Sequence, residues 1–134
     1  MRNAAVPSVV FLALLIAATP IAAHHSFSAE YDSTKPIKLT GKVTKVDWQN
    51  PHVFFYIDAK DEKTGQIVNW SVELGSPNGL MRLGWTRKSM EINSNVTVDG
   101  TLARDGSKLL NARSVVLTAT GKRLFAGSSE GNTP

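Results

Sequence analysis

The sequence predicts an all-β domain with one short helix, an OB-like five-stranded Greek-key β-barrel. Three features lead there. Apolar and polar residues alternate with period two from Ile37 onward. The one stretch of helical character falls after the third alternating run, and the first run is long and changes phase midway. A strand that pairs with two neighbours to close a barrel must be long and coiled, which favours the barrel over a small up-and-down sandwich.

Each element has a local cause. Ile37, Leu39, Gly41 and Val43 alternate with Lys38, Thr40, Lys42 and Thr44, and then Val46 and Trp48 take over the apolar side. A three-residue step inside an alternating run is the mark of a β-bulge or sharp coil. Asn50-Pro51 breaks the run, and Val53, Phe55, Ile57 and Ala59 begin a second strand with Phe54 and Tyr56 on its other face. Asp61-Glu62-Lys63-Thr64-Gly65 is a polar hairpin loop, so the third strand, with Val68, Trp70, Val72 and Leu74 in phase, is its antiparallel neighbour. Ser76-Pro77 is an N-cap followed by proline at the first helical position, and Gly84 closes the short stripe of Leu80, Met81 and Leu83. Thr86 offers a cap for a further turn before Met90. Asn93-Ser94-Asn95 turns into a fourth strand at Val96, Val98, Gly100 and Leu102. Arg104-Asp105-Gly106-Ser107 connects it to a fifth at Leu110, Ala112, Ser114 and Val116, and Lys122 to Phe125 suits a short edge strand.

Composition narrows the function classes. The 134 residues suffice for one domain of ordinary size. With 42% apolar and 19% charged residues the chain is far from a disordered composition. Cysteine is absent, which excludes disulfides, thiolate metal sites and a cysteine nucleophile. The net charge of +4 is spread among acids and describes a solvated surface better than a nucleic-acid face.

Residues 1–23 have the form of a secretory signal: Arg2, an apolar core from Val6 to Ile16, and the small-residue exit Thr19-Pro20-Ile21-Ala22-Ala23. The apolar run is short for a membrane span, which takes roughly 20 residues, so an uncleaved anchor is the weaker alternative. The expected organisation is a signal over 1–23, an N-terminal arm over 24–36, the barrel over 37–126 and a polar tail over 127–134. The destination is the periplasm or the medium, with no membrane partner after cleavage.

Cleavage after Ala23 makes His24 the first residue. Its α-amine and ring Nδ1 can chelate one metal, and a second imidazole completes the T-shaped, three-nitrogen set called a histidine brace. These donors suit Cu(II), and a metal can displace the proton of an amine whose pKa is roughly 7.7–8.0. His52, just after Asn50-Pro51, is the natural distant ligand and His25 the near one. Cleavage after Ala22 would instead give Ala23-His24-His25, a terminus that binds copper through its amine, two backbone amides and His25. Against these stand a mobile terminus and a His52 that merely bonds the turn backbone. Tyr31 and Tyr56 are the candidate axial ligands.

Other chemistry has thinner support. Phe54 and Tyr56 are the expected surface aromatics and candidate ligand-binding residues, because OB barrels bind on the second and third strands; Trp70 has the phase of a core residue. Glu73 and Asp58 sit on the polar phase, within hairpin reach of Arg82 or Arg87, and paired charges of that kind are structural. Ser71 and Ser76 have no histidine nearby and no nucleophile elbow. Gly75-Ser76-Pro77-Asn78-Gly79 lacks the Lys-Ser/Thr ending of a phosphate loop.

The leader ending in Ala-His-His-Ser-Phe, Lys35-Pro36, Leu39-Thr40-Gly41-Lys42-Val43, Asn50-Pro51-His52, Asn69-Trp70, Pro77-Asn78-Gly79-Leu80, Gly84-Trp85 and Leu124-Phe125-Ala126-Gly127-Ser128-Ser129 together resemble the bacterial domain-of-unknown-function family numbered 6152. That resemblance implies a small exported β-rich protein and no assigned activity. Relatives tend to enter the fourth strand through a Lys-Pro-Gly-Asp-like turn, where this chain has Glu91-Ile92-Asn93-Ser94-Asn95. The expected function is a binding module with a copper site at His24, His25 and His52. An accessory domain that binds a protein or glycan on the Tyr56 face without metal is the alternative, and a brace-type copper enzyme is a third.

Overall fold

A computed structural model describes residues 27–127; residues 1–26, with His24 and His25 among them, and residues 128–134 lie outside that range. The element order is α1 (Phe27–Glu30), β1 (Tyr31–Asp47), β2 (Phe54–Lys60), β3 (Ile67–Glu73), α2 (Pro77–Arg82), β4 (Asn95–Ala103), β5 (Leu109–Leu117) and β6 (Lys122–Phe125). The protein is mostly β, with two short helices.

The strands form one sheet in the order β3-β2-β1-β4-β5-β6, and β3 also pairs with β5. That last pairing is parallel and joins Ser71, Val72 and Glu73 to Leu109, Leu110 and Asn111; the others are antiparallel. Each of β1 to β5 therefore has a strand on both sides. β6 adds a sixth strand against the second half of β5.

β1 serves two neighbours along its length. Its first part pairs with β4 and its second with β2, and Gly41 and Lys42 pair with both. The register to β2 shifts between Val43 and Lys45, where the apolar phase of the sequence slips. Strand pairing starts at Tyr31, ahead of the alternating pattern that begins at Ile37, because Tyr31 pairs with Ala103 across a register shift that ends at Pro36. Gly41 shows how closely the strands approach there: a Cβ on it would stand 2.5 Å from the Asp58 carbonyl oxygen.

α2 starts as its residues dictate. The Ser76 hydroxyl accepts from the Gly79 amide, and Pro77 occupies the first turn. The stretch after Trp85 is a turn, with the Thr86 amide donating to Ser89 Oγ. Asn93 takes φ of 72°, a left-handed conformation that asparagine tolerates better than most, so the turn forms without glycine.

The core gathers the inward phase of every strand. Val43, Val53, Phe55, Ile57, Val72, Val96, Val98, Leu110 and Val115 are buried, with Leu80 of α2 and Trp85 closing over them. Trp85 also donates from Nε1 to the Phe125 carbonyl at 2.8 Å, which ties β6 to the segment after α2. Trp48 and Trp70 pack half-buried against this core.

Candidate functional site

Three strand pairings bring distant polar residues together at one end of the sheet. β2 and β3 place Phe54 opposite Glu73. The ladder runs on past the strand ends, with the Val53 amide donating to Gly75 and the Leu74 amide to Val53, so His52 stands beside Glu73. The parallel β3–β5 pairing sets Asn111 opposite Glu73. Tyr31 arrives from the other side, through its pairing with Ala103 of β4.

Their side chains form one hydrogen-bonded chain. The Tyr31 hydroxyl donates to Glu73 Oε2, and His52 Nδ1 lies 2.5 Å from Glu73 Oε1. Asn111 also bonds the Tyr31 hydroxyl, while its own Oδ1 is buried with no protein partner among the described residues. Glu73, Tyr31 and Asn111 are buried, whereas the His52 side chain is 48% exposed. Burial, and then the bond to Glu73, push the Tyr31 hydroxyl well above its ordinary pKa. A carboxylate removed from water costs several kcal/mol unless its lone pairs are met, and here each oxygen has a donor.

The approach of Tyr31 is held from α1 and β4. Phe27 stacks on the Tyr31 ring with centroids 5.3 Å apart. The Arg104 guanidinium donates to the carbonyls of Ser28 and Tyr31, and the Arg104 amide to Glu30. These bonds fasten the start of the described chain over the buried cluster.

The candidate residues have different fates. His52 is half exposed and bonds a carboxylate rather than the turn backbone. His24 and His25 lie outside the described residues. Tyr31, considered as an axial ligand, is buried with its hydroxyl committed to Glu73 and its proton held more tightly than usual, which unsuits it to ligate. Phe54 and Tyr56 are half-buried on the outward phase of β2, and Lys45 Nζ covers the Tyr56 ring at 5.2 Å from its centroid. Glu73 and Asp58 find partners other than Arg82 and Arg87: Asp58 accepts from Asn69 Nδ2 at 2.8 Å, and Glu73 takes Tyr31 and His52.

Residues 12–111 match the model of a family described as one of unknown function, DUF6152. The chain belongs to the DUF6152 family. No curated protein matches it. All four residues of the hydrogen-bonded cluster in this DUF6152 protein, Tyr31, His52, Glu73 and Asn111, fall within the matched stretch, and β6 falls beyond it. Among the described residues, no group of three or more His, Asp or Glu side chains is placed to hold a metal. An open depression of about 510 Å³ lies between α1 and the β4–β5 connection, lined in part by Glu30, Arg104 and Leu109. None of the four cluster residues lines it. Among the described residues no helix is long and apolar enough to cross a membrane.

Proposed function

We propose that this DUF6152 chain is an exported, OB-like β-barrel module that binds copper at its amino end, with His52 as the ligand supplied by the barrel. The barrel reading is supported by the ring of pairings β1-β2-β3-β5-β4 and back to β1, with α2 between β3 and β4. Export is supported by the leader-like residues 1–23, which leave His24 as the first residue after Ala23.

One observation carries the copper reading. His52 is an exposed imidazole in the same hydrogen-bonded cluster as Tyr31, and Tyr31 is the residue on which Phe27 stacks. Phe27 follows His24 by only three residues, a span of roughly 10 Å when extended. The α-amine and Nδ1 of His24 can thus reach the neighbourhood of a fixed third nitrogen. Amine and imidazole donors suit Cu(II), the top of the divalent affinity order. His25 is the near ligand beside the distant His52, and it supplies the imidazole to an amine and two backbone amides if cleavage falls one residue earlier. The competing Tyr56 face is less open to a glycan or peptide, because Lys45 already covers that ring.

The test is Cu(II) titration of the exported protein with electron paramagnetic resonance, alongside intact mass to fix the first residue. A mature chain starting at His24 and a nitrogen hyperfine pattern that loses one imidazole in His52→Ala is the expected result. Identical spectra for the two proteins would leave a terminal chelate without the barrel, and a chain starting at Ser26 or later would end the copper reading.

A further inference from the structure

We infer that Glu73 is a positioning residue for His52: it holds the proton on Nδ1 and so leaves Nε2 as the nitrogen presented to a metal. This rests on the copper reading above for its metal clause, and on geometry alone for its tautomer clause. His52 Nδ1 stands 2.5 Å from Glu73 Oε1, and a carboxylate oxygen only accepts, so the proton of a neutral imidazole belongs on Nδ1. The other nitrogen then carries a lone pair on a side chain that is 48% exposed.

The carboxylate is itself fixed. Its second oxygen takes the Tyr31 hydroxyl, which in turn bonds Asn111, and all three residues are buried on three different strands. Glu73 cannot swing to follow the imidazole without giving up Tyr31. The ring direction of His52 is therefore set by the sheet rather than by the exposed turn that carries it. Metal-bound histidines characteristically donate their other ring nitrogen to a carboxylate in this way, which fixes the tautomer and strengthens the ligand. Nothing in the packing of the turn requires it: the backbone there is already joined to β3 by the bonds of Val53 and Leu74.

The experiment has two arms. Long-range proton–nitrogen correlation on the metal-free, labelled protein, at a pH where His52 is neutral, reads the tautomer directly. Nδ1–H in the native protein is expected, and Nε2–H would overturn the proposal whatever any variant does. Glu73→Gln and Glu73→Leu are then compared, the first keeping the volume should the second fail to fold. The Leu variant is expected to shift His52 toward Nε2–H, the form a free imidazole prefers. In the second arm Cu(II) affinity and nitrogen hyperfine coupling are read for the native protein, Glu73→Gln and Glu73→Asp. A loss of roughly 10- to 100-fold in affinity for the Gln variant, partly restored by Asp, is expected. Equal affinity and unchanged coupling in the Gln variant would overturn the positioning role while leaving copper binding intact. A native protein that binds no Cu(II) through His52 would instead overturn the copper reading and this metal clause together, with the tautomer clause decided by the first arm.

Discussion

Replacing Tyr31 by phenylalanine removes one oxygen and keeps the ring, so the stack on Phe27 survives and only the buried hydrogen bonds are lost. Glu73 then keeps one donor, His52, and its second oxygen is buried without a partner. A hydrogen bond to a charged group contributes about 1.5–3 kcal/mol, and a buried acceptor left unmet costs a similar amount. Relief of the hydroxyl's own burial offsets part of this, giving a net destabilisation of about 2 kcal/mol. For a domain of this size each kcal/mol lowers Tm by roughly 4–8 °C, so a fall of about 8–16 °C is expected. Thermal unfolding reads the fall in Tm, and urea denaturation followed by tryptophan fluorescence reads the free energy, with the midpoint moving at constant slope. The alkaline limb provides a second reading. Because burial and the Glu73 bond raise the Tyr31 pKa, the folded protein keeps a proton that the unfolded chain releases above pH about 10. The stabilisation is complete below that pH and is lost as the pH rises toward the raised value, at roughly 1.4 kcal/mol per pH unit. Tyr31→Phe lacks this component, so its deficit against the native protein narrows in alkali. A deficit under about 0.5 kcal/mol, with parallel pH curves, would refute the claim that this hydroxyl satisfies a buried carboxylate.

Two further outcomes test the frame around the site. Gly100→Ala would drive a Cβ into the backbone carbonyl of Asn111 and to 2.8 Å from Leu110 Cδ1, at the register shift between β4 and β5; a loss of about 1–3 kcal/mol in denaturant unfolding is expected, and a neutral result would contradict the close approach of these strands. Asp61 accepts from the amides of Lys63 and Thr64, which hold its carboxyl below the ordinary value, so its contribution is in place above the ordinary aspartate pKa and lost as the pH falls through the lowered one; the stability gap between the native protein and Asp61→Asn should close on acidification, and a gap that does not change with pH would show that these bonds do not fix the loop.

What the sequence reveals is what neighbouring residues decide. The phase slip after Val43 is a local event, and the register of β1 against β2 shifts at that point. The polar run from Asp61 to Gly65 and the Ser76-Pro77 start of α2 are likewise complete within a few residues. The start of β1 is not legible in this way: between Tyr31 and Pro36 no alternation exists, and β4 draws that stretch into the sheet. Glu73 is the sharper case. It lies on the polar phase of β3, where an exposed carboxylate is the natural expectation, yet it is buried because His52 and Tyr31 cover it. Tyr31 stands 42 residues away in the chain, and no spacing rule connects the two. His52 was legible as a partly exposed residue after the Asn50-Pro51 interruption of the strand pattern, whereas the acid beside its ring was not.

The buried carboxylate raises the question of why the fold keeps it. Replacing a buried ionic or polar cluster with apolar side chains of similar volume is commonly neutral or stabilising, so stability alone does not call for Glu73. Fastening β1 to β3 and β5 is a second use, and Tyr31 with Asn111 would meet it without any histidine, since a Tyr31 bond to a neutral acceptor closes the same gap. His52 is the member that neither use explains. It is the one exposed member of the cluster, and its Nδ1 is spent on a buried acid. A donor whose orientation is governed from within the protein is what the proposed ligand site needs from its support. On the proposed copper reading, the cost of burying Glu73 is accounted for by the direction it imposes on the imidazole rather than by the strands it joins.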